Sequence, residues 1–135
     1  MSITPTDQHV ATLLKITALV NIGSALAALF LPHLNAELLY GTTESLEGLA
    51  LRYHYLLWST IFCMGVGYAI AARKPSEQTA LITCGALGKI CVAILWLQQF
   101  LAGDATSLIL GAVSFDGILG VIFLIYVTPK VLDLK

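Results

Sequence analysis

Four long apolar runs, cut apart by proline, glycine and charge, leave this chain few ways to fold. They cover about residues 9–31, 48–72, 78–102 and 105–127. Each is near the roughly 20 residues an α-helix needs to cross the hydrocarbon of a bilayer. The first run stops at Pro32, the second before Arg73-Lys74-Pro75, the third at Gly103-Asp104 and the fourth before Pro129. Proline removes a backbone donor and crowds the preceding turn, so these stops have a physical cause. No run shows sustained period-two alternation, so strands are not expected. Lipid tolerates only helices or closed barrels, and four segments of this length cannot close a barrel. The expected fold is an all-α membrane protein, one domain over residues 1–135, built as an antiparallel bundle of four transmembrane helices.

Composition agrees. Only 11% of residues are charged and the mean hydropathy is +0.87. A soluble domain carries roughly a quarter of its residues as Asp, Glu, Lys and Arg, so the expected outer solvent is the lipid bilayer. The net charge of −1 offers no basic face for nucleic acid. Nothing basic precedes Lys15 and the apolar run is long, so the first run is expected to be a retained helix and not a cleaved leader. Ser76-Glu77 reads as an N-cap for the third helix, and Thr43 with Glu44 and Glu47 as one for the second. Between Pro32 and Thr43, Leu34, Leu38 and Leu39 recur at roughly helical spacing among polar residues. That stretch is either a short amphipathic helix on the membrane surface or an irregular loop with apolar anchors.

Basic residues set the expected orientation. Arg73 and Lys74 lie between the second and third helices, Lys130 and Lys135 follow the fourth, and Lys15 is near the start of the first. The other two connections carry no Lys or Arg. With an even number of helices, both termini and the Arg73-Lys74 turn fall on one side, read as cytoplasmic, in a bacterial-type cell inner membrane. Tyr53, Tyr55, Trp58 and Trp96 are then expected toward the outer interface, and Tyr68 and Tyr126 toward the inner one.

Lys89 and Asp116 are the residues that ask for an explanation. Each is a lone charge inside an apolar run. Counted from the Gly103-Asp104 turn, they lie about 14 and 12 residues away, a height difference of about 3 Å at 1.5 Å per residue. An unmatched charge at mid-membrane costs several kcal/mol, so the two are expected to pair inside the bundle. Asp116 shares its face with Ala112 and Gly120, and Lys89 with Gly85, Ala93 and Trp96; such small residues allow helices to approach. The pair reads either as a register lock or as an ion relay or ligand counter-ion.

Secondary candidates follow. Arg52, at the start of the second helix, can hold an anionic ligand, a lipid headgroup or a nearby acid, or snorkel to the interface. A polar stripe of Thr17, Asn21 and Ser24 with Ala28 is expected to face the Lys89–Asp116 pair. His54 sits opposite Arg52, near Trp58; His9 and His33 lie at opposite ends, so no haem or metal site is expected and no cofactor is assigned. Cys63, Cys84 and Cys91, all in apolar runs without metal-ligand spacing, read as small packing residues. No P-loop, dinucleotide fingerprint, zinc-protease or lipase motif is present.

The segment from Arg52 to Asp116 resembles a pattern of small bacterial four-helix inner-membrane proteins. Its parts are Arg52, Gly65-Val66-Gly67-Tyr68, the turn from Ala71 to Pro75, Gly88-Lys89 and Asp116-Gly117. The overall build is similar to the DoxX-like proteins, some of which are subunits or accessories of membrane redox systems. The resemblance implies the four-helix fold and carries no catalytic residue to this chain. The expected function is a non-enzymatic accessory or assembly partner, self-associating or bound to another membrane protein. The rivals are a small oligomeric transporter or channel using Lys89 and Asp116 as a relay, and a membrane redox or lipid-modifying enzyme using Arg52, His54 and Glu47.

Overall fold

A computed structural model describes residues 6–41 and 46–132. It holds five α-helices: α1 (Asp7–Phe30), α2 (Pro32–Tyr40), α3 (Gly48–Ala71), α4 (Thr79–Ala102) and α5 (Ile109–Val131). All but α2 are long and apolar enough to cross a membrane. Among the described residues there is no strand. This is the expected all-α, four-span architecture of a multi-pass membrane protein.

The helix ends show which local signals decide. Thr6 caps α1 by accepting the His9 N–H at 3.4 Å, so the helix begins slightly before the apolar run does. Leu31 leaves helical geometry ahead of Pro32, which then opens α2 as its first residue, a position where its missing N–H costs nothing. The Pro32–Thr43 stretch is thus a helix as far as Tyr40, with Ala36 and Leu39 buried and Leu34 and Leu38 exposed. Thr43 and Glu44 lie outside the described residues; Glu47 stands at the N-cap position of α3 without a side-chain cap bond.

Two boundaries differ from expectation. Ser76 does not cap α4: Pro75–Glu77 forms a 3-10 turn, Glu77 pairs back to Lys74 at 3.0 Å, and Gln78 precedes the helix. The last helix is shifted toward the C-terminus. It was expected over 105–127 but runs from Ile109 to Val131 with Pro129 inside. At its start, Thr106 is drawn away to α2, where its N–H and hydroxyl donate to the carbonyls of Leu39 (2.8 Å) and Leu38 (2.6 Å). These bonds satisfy two carbonyls that the end of α2 leaves free. At its finish, Pro129 falls in the final turn, where it forfeits a single bond. Asp7 holds that turn in place: Tyr126 Oη donates to its Oδ1 at 2.7 Å and Lys130 Nζ at 3.0 Å.

The helices pack as two pairs. α1 lies along α3 and α4 along α5, while contact between the pairs is sparse. Within each pair a glycine permits close approach. A Cβ on Gly65 would stand 2.8 Å from Ile22 of α1, and one on Gly120 would stand 2.7 Å from Ile90 of α4. The pairs join firmly at one end, around the Arg73-Lys74 turn, where Val10, Leu14, Tyr68, Ile82, Phe123 and Val127 form a closed core. Toward the other end α2 and the residues around Trp58 and Trp96 form a second cluster. Between these two clusters the pairs part.

Candidate functional site

The gap between the helix pairs is a cavity of about 660 Å³. Its size falls within the roughly 300–1,000 Å³ typical of small-molecule sites. All four long helices contribute: Asn21 and Ser24 from α1, Trp58 and Tyr68 from α3, Lys89 and Trp96 from α4, Phe115 and Asp116 from α5. Several lining residues, including Ser24, Thr60, Cys84, Gly88 and Gly111, are themselves exposed on the outside of the bundle. The cavity therefore communicates with the surface that faces lipid.

The charged wall is built by helix register. Lys89, midway along α4 and only 5% exposed, donates to the Asp116 carboxylate on α5, whose side chain is 14% exposed. Lys89 Nζ also donates to Asn21 Oδ1 at 3.4 Å, reaching diagonally across the bundle to α1. The Phe115 and Tyr68 rings lie 5.0 and 5.7 Å from the same ammonium, within cation–π range. The charge is thus paired, hydrogen-bonded and faced by aromatic rings, the combination a buried ion needs in a medium of low dielectric.

Tyr68 lies toward the Arg73-Lys74 end, as expected, but inside the bundle: it is buried and packed on Phe123 at 5.9 Å between centroids. Its ring and hydroxyl lie flat against Gly85 of α4, where any Cβ would clash. Its hydroxyl, which lines the cavity, forms no hydrogen bond among the described residues. Gly-x-Gly-Tyr marked the position, but only the facing glycine one helix away reveals its role. Trp58 and Trp96 lie toward the α2 end, the side expected for them, but turned inward. Both are buried, pack against each other at 6.3 Å, and form the cavity's end nearest α2. A ring buried between helices gives up headgroup contact but gains packing area on both faces.

Other candidates scatter. Of the polar stripe on α1, Thr17 and Asn21 are buried and Ser24 is exposed, its hydroxyl bonded back to the Asn21 carbonyl. His54 turns into the bundle: its Nε2–H donates to the Ala28 carbonyl at 3.1 Å, and its ring packs near Trp58. Arg52 and Glu47 remain exposed, whereas His54, the third member of the expected surface trio, is buried. Cys63, Cys84 and Cys91, read from the sequence as small packing residues, are free and exposed, on surfaces that tolerate a small apolar thiol. Among the described residues no three His, Cys, Asp or Glu side chains gather as metal ligands. A second hollow of about 670 Å³ lies by α2, between Tyr40, His54, Gln99 and Asp104. Burial pushes the Tyr40 hydroxyl above its ordinary value there, with Trp96 opposing the shift.

Chemically, the main cavity offers a largely apolar volume, a paired ammonium and carboxylate, the Tyr68 phenol and the polar side chains of Asn21, Ser24, Asn35 and Thr60. It can bind and orient a molecule. Comparison with protein families, curated proteins and solved structures returns no match to this chain.

Proposed function

We propose that this chain is a non-enzymatic protein of a bacterial-type inner membrane that receives an apolar molecule from the bilayer between its two helix pairs, as an accessory to a membrane partner. Both termini and the Arg73-Lys74 turn are cytoplasmic in this reading, because Lys15, Arg73, Lys74 and Lys130 all cluster at that end. One observation carries the proposal: the 660 Å³ cavity that opens beside Lys89 and Asp116. A register lock alone explains the ion pair but not the space next to it.

A proton or ion relay through the same pair is the competing use. It would require a wet path toward the Arg73-Lys74 end, and there Leu14, Tyr68, Ile82 and Phe123 pack with almost no exposure.

Mass spectrometry of the protein extracted from its own membrane in native nanodiscs tests the binding reading. The expected result is a retained apolar molecule at close to one per chain, lost in Gly88→Leu. Gly88 lines the cavity at its exposed side, and a Cβ there meets nothing within 4 Å, so the larger side chain obstructs the opening without disturbing the helices. A folded wild-type protein carrying no such molecule overturns the reading.

A further inference from the structure

The wall of the cavity also says what kind of polar group its guest carries. This step rests on the binding reading above and narrows it. Lys89 and Asp116 cancel each other's charge, so the wall is neutral overall. An anionic head would meet the Asp116 carboxylate, and a cationic head the Lys89 ammonium. Either would have to shed its hydration in the membrane interior without a free counter-charge, a cost of several kcal/mol.

Hydrogen-bonding capacity narrows the choice further. An ammonium has three N–H donors. Lys89 places two of them, on Asp116 and on Asn21. One remains. The Tyr68 hydroxyl, which lies against Gly85 one helical turn from Lys89 on the same wall, is a second donor without a partner among the described residues. An acceptor that meets both donors gains hydrogen bonds in an apolar setting. Two unused donors side by side on a largely apolar wall call for a neutral acceptor with two lone pairs, which is a carbonyl oxygen. Beyond the pair, Val92, Ala112, Trp58 and Trp96 offer mostly hydrocarbon and ring surface to the rest of the guest, with Asn35 at the α2 end the main polar exception.

We propose that the cavity binds an uncharged, carbonyl-bearing apolar molecule of the membrane, its oxygen accepting from Lys89 Nζ and Tyr68 Oη and its body lying against Trp58 and Trp96. The guest enters sideways from the lipid, past Gly88 or Gly111.

The chain's two tryptophans both line the cavity, so their fluorescence reports occupancy without background. The test uses the full chain in nanodiscs and three brominated probes of equal length: a long-chain ketone, the matched alkane and the matched fatty acid. The ketone is expected to quench saturably and to bind about tenfold more tightly than the alkane, the ratio that one or two buried hydrogen bonds supply. Tyr68→Phe, which keeps the ring in place, is expected to weaken ketone binding three- to tenfold and leave alkane binding unchanged. Equal affinity for ketone and alkane, a Tyr68→Phe protein that binds ketone like wild type, or preference for the fatty acid each overturns the carbonyl assignment while leaving the cavity a binding site. Quenching that never saturates with any probe removes the binding reading itself.

Discussion

The same four helices close tightly at one end of the bundle and stand apart at the other. At the Arg73-Lys74 end, Leu14, Ile82, Tyr68 and Phe123 interlock, and Asp7, Tyr126 and Lys130 bind the start of α1 to the end of α5. Toward α2 the pairs are bridged by two tryptophans and a loop, with open volume beneath. Lys89 and Asp116 sit at the boundary. The difference teaches that the ion pair is the top of a packed core as well as the floor of a cavity, and that its cost is met from the closed side. Below it, apolar packing fixes helix position. Beside it, Asn21, Phe115 and Tyr68 complete the solvation of the ammonium.

Substitutions can break that comparison at graded strength. The largest loss is expected from Lys89→Met, which leaves Asp116 buried without a partner, at about 3–5 kcal/mol. The double variant Lys89→Met with Asp116→Leu is expected to recover most of it, because it removes both charges together. Reversible unfolding in mixed micelles measures both; a double variant no more stable than the single one contradicts the pairing. Next comes a contrast between two glycines of α4. Gly85→Ala drives a methyl into Tyr68 at the closed end and is expected to destabilise by about 1–3 kcal/mol. Gly88→Leu, one turn away in position but facing open volume, is expected to stay within about 0.5 kcal/mol of wild type. Equal losses at the two sites would mean that the cavity is packed. The smallest effect belongs to Asp7→Asn, since the Lys130–Asp7 pair is partly solvated; under about 1 kcal/mol is expected, visible as weaker hydrogen-exchange protection in the last turn of α5.

The spans were legible because lipid reduces the problem to length and hydropathy, and the 24-residue helices α1, α3 and α4 fall close to their expected bounds. The meeting of Lys89 with Asp116 was legible for a similar reason, since depth along a helix can be counted from a turn. Positions around a helix were harder. The sequence pattern gave Trp58, Trp96 and Tyr68 a depth but not a face: they turn into the bundle, whereas the three cysteines turn outward. Hydropathy does not distinguish a face turned to lipid from one turned to another helix, because both surroundings are apolar. The late start of α5 was equally hidden: it depends on Thr106 bonding to Leu38 and Leu39, a contact between distant segments. The cavity is the furthest from the sequence, being a volume that no single helix encodes.

The central claim is that apolar space lies between the helix pairs above the Lys89–Asp116 pair. Crystals grown in lipid and pressurised with xenon address it directly, because apolar cavities take up this gas. The account predicts xenon density among Trp58, Val92 and Ala112. Side chains of α1 and α3 found packed against α4 and α5 across that volume, with no xenon between them, would contradict it.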